Sequence, residues 1–230
     1  MNRQELVKNR RKQKAKGNQT ILFVVIAVVI VAVAMVILTQ IKPAADIVAA
    51  DREYTVPMNG LTLGDPNAPI EVIEFADFQC PACYSYWMNL EPTIYENYIV
   101  TGKIKYTYSP YSFLGRGQSW DESVKAAEAA YCANDQGKFW EFRDIIFANH
   151  NGENLGAYSR DRLFAFAKEL GLDENSFKNC LNSDQYYEQV MADNNFASGT
   201  GSTFTPSFLL DGQVLNANEL IQAIENKLAE

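Results

Sequence analysis

The amino-acid sequence predicts an α/β domain that follows an N-terminal apolar segment, and three observations indicate this fold class. The apolar run at 70–75 has strand character, a helical pattern follows it, and residues 103–108 alternate polar and apolar side chains like a second strand. Helical spacing then dominates about residues 115–198. After it come two short strand candidates joined by Asp211-Gly212, a typical hairpin turn, and a last amphipathic helix. The predicted order is therefore a βαβ unit and a ββα unit with helices inserted between them.

Residues 21–41 form an uncharged and almost entirely aliphatic segment. At about 1.5 Å per helical residue, roughly 20 such residues span the ~30 Å hydrocarbon core of a bilayer. A basic segment at 1–20 precedes it, with seven Lys or Arg side chains against one Glu among the first 17 residues. By the positive-inside rule we expect a single-pass cell-membrane anchor with residues 1–20 in the cytoplasm and the rest of the chain outside it. The alternative is a cleaved signal peptide with Val48-Ala49-Ala50 as its site, although that site lies well beyond the apolar run.

The rest of the chain divides into a linker at 42–57 and one acidic domain at 58–230. Beyond residue 17 the chain carries 13 basic and 27 acidic side chains. This charge argues against nucleic-acid binding, because such binding needs a face that neutralises phosphates. The acidic side chains lack EF-hand-like spacing, so the sequence assigns no metal ion and no cofactor.

The segment Cys80-Pro81-Ala82-Cys83 lies between a predicted strand and a predicted helix. A zinc knuckle needs a second pair of cysteines at similar spacing. A redox dithiol instead places its first cysteine at a helix N-terminus, where free N–H groups and the helix dipole stabilise a thiolate. Pro81 suits the first turn of such a helix. The context favours thiol–disulfide chemistry, with a static disulfide or half of a zinc site as the alternatives.

Three segments together resemble a known family. Residues 74–83 (EFADFQCPAC) resemble the active-site segment of DsbA-type thiol–disulfide oxidoreductases, which belong to the thioredoxin superfamily. Residues 201–208 (GSTFTPSF) resemble that family's cis-proline loop, and residues 136–140 (QGKFW) resemble part of its helical insertion. The resemblance covers about residues 58–230. It implies a thioredoxin fold with a helical insertion, at about 115–198, between the βαβ and ββα units.

The two cysteines of the motif have different expected roles. Cys80 is expected to be an exposed nucleophile, with a thiolate favoured by the amide groups of the first helical turn. Cys83 lies one turn inward, so we expect it to be more buried and to act as the resolving thiol. The resemblance implies that the Thr205-Pro206 bond is cis, packs against the dithiol and pairs with an extended substrate through its backbone.

Glu74 is a carboxyl group in an otherwise apolar strand. A buried carboxyl has a raised pKa, and the resemblance implies that this residue assists proton transfer at the resolving cysteine. The alternative is a solvated Glu74 at a sheet edge. Asp77 could point toward the site instead, and the sequence leaves this open.

Ala82 is a departure from many strongly oxidising relatives, which carry histidine at this position. Alanine offers the Cys80 thiolate neither charge nor a hydrogen bond, which predicts a weaker oxidant. His150 is the one histidine of the chain. Its place at the end of a helical segment predicts a solvated residue rather than a catalyst.

Cys132 and Cys180 fall on two different predicted helices of the insertion. We interpret them as a structural disulfide that pins the insertion. A second redox pair and two buried thiols remain alternatives. A four-cysteine zinc site would require both of these residues to converge with Cys80 and Cys83.

These features predict a membrane-anchored, extracytoplasmic oxidoreductase that forms or exchanges disulfides in secreted or membrane proteins. Its substrates would be reduced or misoxidised proteins. The resemblance implies a membrane quinone-linked thiol oxidase, DsbB-like or VKOR-like, as redox partner. The alternatives are a disulfide reductase or isomerase of the same fold, and a non-catalytic binding module with a structural Cys80–Cys83 bond.

Overall fold

The computed structural model describes Ile26 and residues 29–32, 46–50 and 52–230. The predicted basic segment at 1–20 lies outside the described residues, and so does most of the predicted anchor at 21–41. Within the described ranges, no helix is both long and apolar enough to cross a bilayer. The segment from Ile47 to Glu230 is one folded unit and is described by itself below.

In the described part of the chain, six strands form one mixed sheet: β1 (Met58–Asn59), β2 (Thr62–Leu63), β3 (Ile70–Ala76), β4 (Ile104–Pro110), β5 (Ser207–Leu210) and β6 (Gln213–Leu215). Their order across the sheet is β1-β2-β4-β3-β5-β6. Its central strand, β3, runs parallel to β4 and antiparallel to β5. A parallel pair needs a long crossover connection, which the helices after β3 provide.

Two helices lie in the crossover, five lie between β4 and β5, and one ends the chain within the described residues. The predicted order of a βαβ unit, a helical block and a ββα unit is therefore confirmed. The helices are α1 (Pro81–Asn89), α2 (Glu91–Ile94, which continues as a π-helical turn over Tyr95–Ile99), α3 (Glu122–Asn134), α4 (Phe139–Ala148), α5 (Arg160–Glu169), α6 (Glu174–Asn182), α7 (Tyr187–Gly199) and α8 (Ala217–Leu228).

Both faces of β3 are buried near its C-terminal end. Val72 and Ala76 pack into the large core that contains the side chains of α1 and α4. Phe75 points to the opposite face, where it packs against Tyr111 and Ala197 of α7. A strand buried on both faces is apolar along nearly its whole length. Glu74 is the one ionisable side chain of β3 that is buried, and it lies on the same face of the strand as Val72 and Ala76.

Residues 47–50 and 52–57 form an irregular segment, here called the N-terminal strap, that lies along the domain. The Asn149 side chain donates to the Val48 carbonyl (2.8 Å) and accepts from the Val48 N–H (3.0 Å). The Tyr54 hydroxyl donates to Asp144 (2.7 Å). Because of these contacts, the folded unit begins at Ile47, within the segment that the sequence predicts as a linker at 42–57.

Cys132 and Cys180 form a disulfide that joins α3 to α6. Their Cα atoms lie 5.9 Å apart, a separation typical of disulfides. Both residues are buried among the inserted helices. The bond therefore ties two helices of the insertion together across a sequence separation of 48 residues.

Candidate active site

Cys80 is the N-cap residue of α1. Its extended backbone (φ −74°, ψ 121°) ends the loop after β3, and Pro81 then begins the helix. No side chain caps this helix end, so the N–H groups of the first turn remain available to a thiolate. Both cysteines are free thiols, and Cys83, one turn later, is fully buried. The prediction that Cys80 is exposed is wrong: only 8% of it is exposed, because the loop before β5 lies against it.

The pKa values of the two thiols are shifted in opposite directions. The pKa of Cys80 is lowered to about 6, mainly by a hydrogen bond from the Cys83 thiol. Partial burial raises this pKa, whereas hydrogen bonds of the Thr205 side chain and of the Ala82 and Cys83 N–H groups lower it further. Burial raises the pKa of Cys83, and the charges of Cys80 and Glu74 raise it further. At neutral pH Cys80 is therefore mainly a thiolate, whereas Cys83 keeps its proton.

The loop before β5 lies against this dithiol. The peptide bond between Thr205 and Pro206 is cis, and the Cys80 Sγ lies 3.4 Å from the Thr205 carbonyl oxygen. Pro206 is buried, whereas the preceding Phe204 is 42% exposed. The loop thus forms one wall beside the nucleophile.

A groove of about 370 Å³ lies between α1, the Thr205-Pro206 loop and the start of α8. Thr205, whose carbonyl oxygen lies 3.4 Å from the Cys80 Sγ, is part of its lining. Its lining combines apolar surface with polar side chains, as expected for a site that receives a polypeptide. Ala82 lies exposed on its wall, where a larger side chain would narrow it. The lining residues include Ala82, Ser85, Phe204, Thr205, Pro206 and Asn216.

Glu74 lies fully buried on β3, which rules out the alternative of a solvated carboxylate. Its Oε2 accepts from the Tyr106 hydroxyl (2.8 Å) and, at 3.5 Å, from Arg143, while Oε1 has no hydrogen-bond partner. Burial raises the pKa of Glu74 to about 7; Glu91 also raises it, and Arg143 and Tyr106 lower it. Glu74 can therefore take up or release a proton near neutral pH.

Asp77 serves a different purpose from Glu74. Its Oδ1 accepts from the Gln79 N–H (2.9 Å) and the Ser123 hydroxyl (2.7 Å). Its Oδ2 accepts from the N–H groups of Phe113 (2.8 Å) and Leu114 (3.0 Å). All four bonds go to groups outside the dithiol, so Asp77 holds the loop that leads into Cys80.

The prediction that His150 is solvated is wrong. The side chain is half-buried, its ring stacks on Tyr84 with centroids 5.0 Å apart, and its Nε2 lies 2.9 Å from the Gln79 carbonyl oxygen. Because a carbonyl only accepts, Nε2 carries the proton in this contact. His150 therefore holds the peptide unit immediately before Cys80, a contact across 71 residues that no local pattern indicates.

Arg143 of α4 is a second residue that the sequence analysis missed. It is fully buried and forms ion pairs with Glu74, Glu91 and Asp144. The sequence signal that could have identified it is a single arginine on an otherwise apolar helix face. Such a face is normally buried, and a buried charge needs partners of opposite charge. Among the described residues, no group of three or more His, Cys, Asp or Glu side chains is arranged to hold a metal ion.

Comparison with known proteins places these features in a family. A family model for thioredoxin matches residues 57–228. The chain is 31% identical over 171 residues to the Bacillus cereus protein named "Probable disulfide bond formation protein D", which covers 73% of this chain and 78% of that protein.

Solved structures agree on the fold. The oxidised BdbD of Bacillus subtilis superposes with a TM-score of 0.66 at 23% identity, over 80% of this chain and 100% of that one. The α-DsbA1 of Wolbachia pipientis gives a TM-score of 0.60 at 25% identity, over 75% and 92%. Together with the dithiol geometry, these matches show that the chain belongs to the thioredoxin family and is a DsbA-like protein disulfide oxidoreductase.

Proposed function

We propose that this oxidoreductase donates disulfides to reduced proteins outside the cytoplasm, through Cys80 and Cys83, while anchored in the cell membrane. The observation that carries the proposal is the placement of Cys80 at the uncapped N-terminus of α1, against the Thr205-Pro206 loop and one turn before the buried thiol of Cys83. This placement lowers the pKa of Cys80 to about 6, mainly through the hydrogen bond from Cys83. A stabilised thiolate favours the reduced form of the pair, so the Cys80–Cys83 disulfide is readily given away.

In the first step, a substrate thiolate attacks the Cys80 sulfur of the Cys80–Cys83 disulfide. A mixed disulfide forms between the substrate and Cys80, and the electron pair of the broken bond leaves on Cys83. The raised pKa of Cys83 makes this thiolate a strong base. Neutral Glu74 supplies the proton it takes up.

In the second step, another thiolate of the substrate attacks the substrate sulfur of the mixed disulfide. Cys80 leaves as a thiolate, which its low pKa favours. The substrate gains a disulfide and loses two electrons, and the enzyme dithiol holds them. The groove beside Cys80 would bind the substrate chain along the Thr205-Pro206 loop during both steps.

The enzyme must then be reoxidised. A membrane quinone-linked thiol oxidase, DsbB-like or VKOR-like, is the proposed electron acceptor, and Glu74 would accept the Cys83 proton in this direction. The basic segment at 1–20 and the uncharged segment at 21–41 support the proposed anchor and its orientation. A phosphatase reporter fused after residue 230 tests the orientation, because it is active only outside the cytoplasm.

Oxidative refolding of a reduced, secreted test protein by the oxidised enzyme tests the activity. We expect stoichiometric disulfide formation by the wild type and none by Cys80→Ser. Cys83→Ala should form a mixed disulfide with an added disulfide-bonded substrate and accumulate it. The double variant Cys132→Ala with Cys180→Ala is the matched control and should remain active. Equal activity of Cys80→Ser and the wild type would contradict the proposal.

A further inference from the structure

A cluster of buried charges connects the N-terminal strap to Glu74. We propose that Arg52, on the strap, is a positioning residue that keeps Glu74 able to exchange protons by balancing the charge of Glu91. The proposal rests on the proposed role of Glu74 in the thiol chemistry. It makes the segment just before the predicted domain start part of the active machinery.

Arg52 is held firmly against α1 and α2. Its Nη1 donates to the Glu91 Oε1 (3.0 Å), its Nη2 donates to the Trp87 carbonyl, and its guanidinium lies 4.3 Å from the centre of the Trp87 ring. The Arg52 side chain is 24% exposed, whereas that of Glu91 is 4% exposed. A charge pair with one partner buried this deeply is screened much less than a surface pair.

Glu91 is shared by two guanidinium groups. Arg143 donates from Nη1 to the same Oε1 that Arg52 contacts (2.9 Å), and from Nη2 to Oε2. The Nη2 of Arg143 also lies 3.5 Å from the Glu74 Oε2. Glu91 and Glu74 thus compete for one buried cation, and Arg52 supplies Glu91 with a second.

Among the described residues of this cluster, three carboxyl groups face two guanidinium groups. Asp144 accepts hydrogen bonds from Tyr54 (2.7 Å) and Trp87 (2.8 Å) in addition to its contact with Arg143. Glu74 alone of the three has the long contact to Arg143 and an unpartnered oxygen. With three carboxyl groups and two guanidinium groups, the cluster is neutral when one carboxyl group is protonated. Glu74, as the least well paired of the three, is that carboxyl group.

The other titratable groups that act on Glu74 come from α1 and β4. They are Cys83 and Tyr86 on α1, and Tyr106 and Tyr108 on β4. None of these four contacts the strap through a hydrogen bond or ion pair found in the structure. Arg52 therefore reaches Glu74 through Glu91 and Arg143.

The direction of the effect follows from this arrangement. Without Arg52, Arg143 is the one remaining cation beside Glu91 in this cluster. Arg143 then pairs more strongly with Glu91 and less with Glu74. Ionising Glu74 then becomes harder, because it would add another negative charge to a cluster with one cation. Glu74 would stay protonated to higher pH and could no longer accept the proton of Cys83 near neutrality.

An infrared pH titration of the full-length, oxidised protein tests this directly. The protonated carboxyl band of Glu74 is assigned by its loss in Glu74→Gln. We expect Arg52→Gln to raise the band's midpoint by about one pH unit. Arg52→Lys, which keeps the charge, and Glu53→Gln, which changes an exposed charge on the same strap, should each leave it nearly unchanged.

Glu91→Gln gives an independent test of sign, because it removes the charge that opposes ionisation of Glu74. We expect its midpoint to move downward, opposite to that of Arg52→Gln. An unchanged midpoint in Arg52→Gln, or an equal shift in Glu53→Gln, would overturn the proposal. So would an upward shift in Glu91→Gln, which remains informative if Arg52→Gln fails to fold.

The pH profile of reoxidation of the reduced enzyme separates this proposal from the one on which it rests. Arg52→Gln should move the profile in the same direction as the infrared midpoint. If Glu74→Gln leaves the profile unchanged, the proton-transfer role of Glu74 fails. The infrared shift would still show whether Arg52 controls the charge of Glu74.

Discussion

The Cys80 Sγ lies 3.4 Å from the carbonyl oxygen of Thr205, although 125 residues separate the two in the chain. This contact sets the nucleophile at the first turn of α1 directly against the backbone of the loop before β5. A substrate sulfur bonded to Cys80 must therefore lie beside that backbone. The carbonyl can only accept a hydrogen bond, so the low pKa of Cys80 has to come from the donors around the sulfur.

The first prediction concerns the acidity of the dithiol. Thiolate absorbance of the reduced protein should rise with a midpoint at about pH 6 as Cys80 ionises, while Cys83 stays protonated. Cys83→Ala should raise the Cys80 midpoint, because the thiol of Cys83 is the largest contributor to its low pKa. Titration at 240 nm measures both. A midpoint near 9 in the wild type would contradict the assignment.

The second prediction concerns the effect of Glu74 on stability. Burial raises its folded-state pKa to about 7 from 4.5, so the unfolded chain releases this proton first and stability falls as pH rises through that interval. Relative to Glu74→Gln, the oxidised wild type should lose up to about 3 kcal/mol of unfolding free energy between pH 4.5 and 8.

Denaturant unfolding at several pH values measures this difference. The oxidised state is used because Cys80 and Cys83 do not titrate in it. If the difference between wild type and Glu74→Gln stays constant over this range, Glu74 is not the group with the raised pKa.

The third prediction concerns the disulfide of the insertion. Replacing Cys132 and Cys180 together by alanine should lower the unfolding free energy by up to about 4 kcal/mol, because the bond closes a loop of 48 residues. Disulfide transfer by the variant, measured below its melting temperature, should stay close to that of the wild type. Loss of transfer in a folded variant would instead indicate that this pair takes part in electron flow.

The fourth prediction concerns His150. His150→Phe keeps an aromatic ring against Tyr84 but removes the donor to the Gln79 carbonyl, and should cost about 1 kcal/mol of stability. His150→Gln can still donate to this carbonyl and should retain faster substrate oxidation than His150→Phe. Thermal melts and refolding rates measure the two effects. Equal rates for the two variants would show that the hydrogen bond does not position Cys80.

The sequence predicts the order of elements because each depends on local periodicity and turn residues. The strand at 70–75, the helix that begins after Cys80, and the Asp211-Gly212 hairpin all lie where those signals indicate. The contact between Cys80 and the Thr205-Pro206 loop could be predicted only from the resemblance to a family, because no local sequence pattern links the two segments.

The parts that escaped prediction depend on contacts between distant segments. Arg143 and Glu91 lie 52 residues apart, and Arg52 and Glu91 lie 39 apart. The strap lacks the hydrophobic periodicity of a helix or strand. Its sequence therefore could not distinguish a segment packed on the domain from a free linker. Alanine at position 82 predicts a weaker oxidant than relatives with histidine there, and this stays a prediction. The low pKa of Cys80 arises instead from hydrogen bonds of Cys83, of the Thr205 side chain and of the helix N–H groups.

The reduction potential of the Cys80–Cys83 pair, measured by equilibration with glutathione, tests the central claim most directly. Because the Cys80 thiolate stabilises the reduced form, we expect a potential less negative than about −200 mV, toward the value of about −120 mV typical of strong oxidants of this kind. A potential at or below about −270 mV, that of thioredoxin, would contradict the account and indicate a reductase.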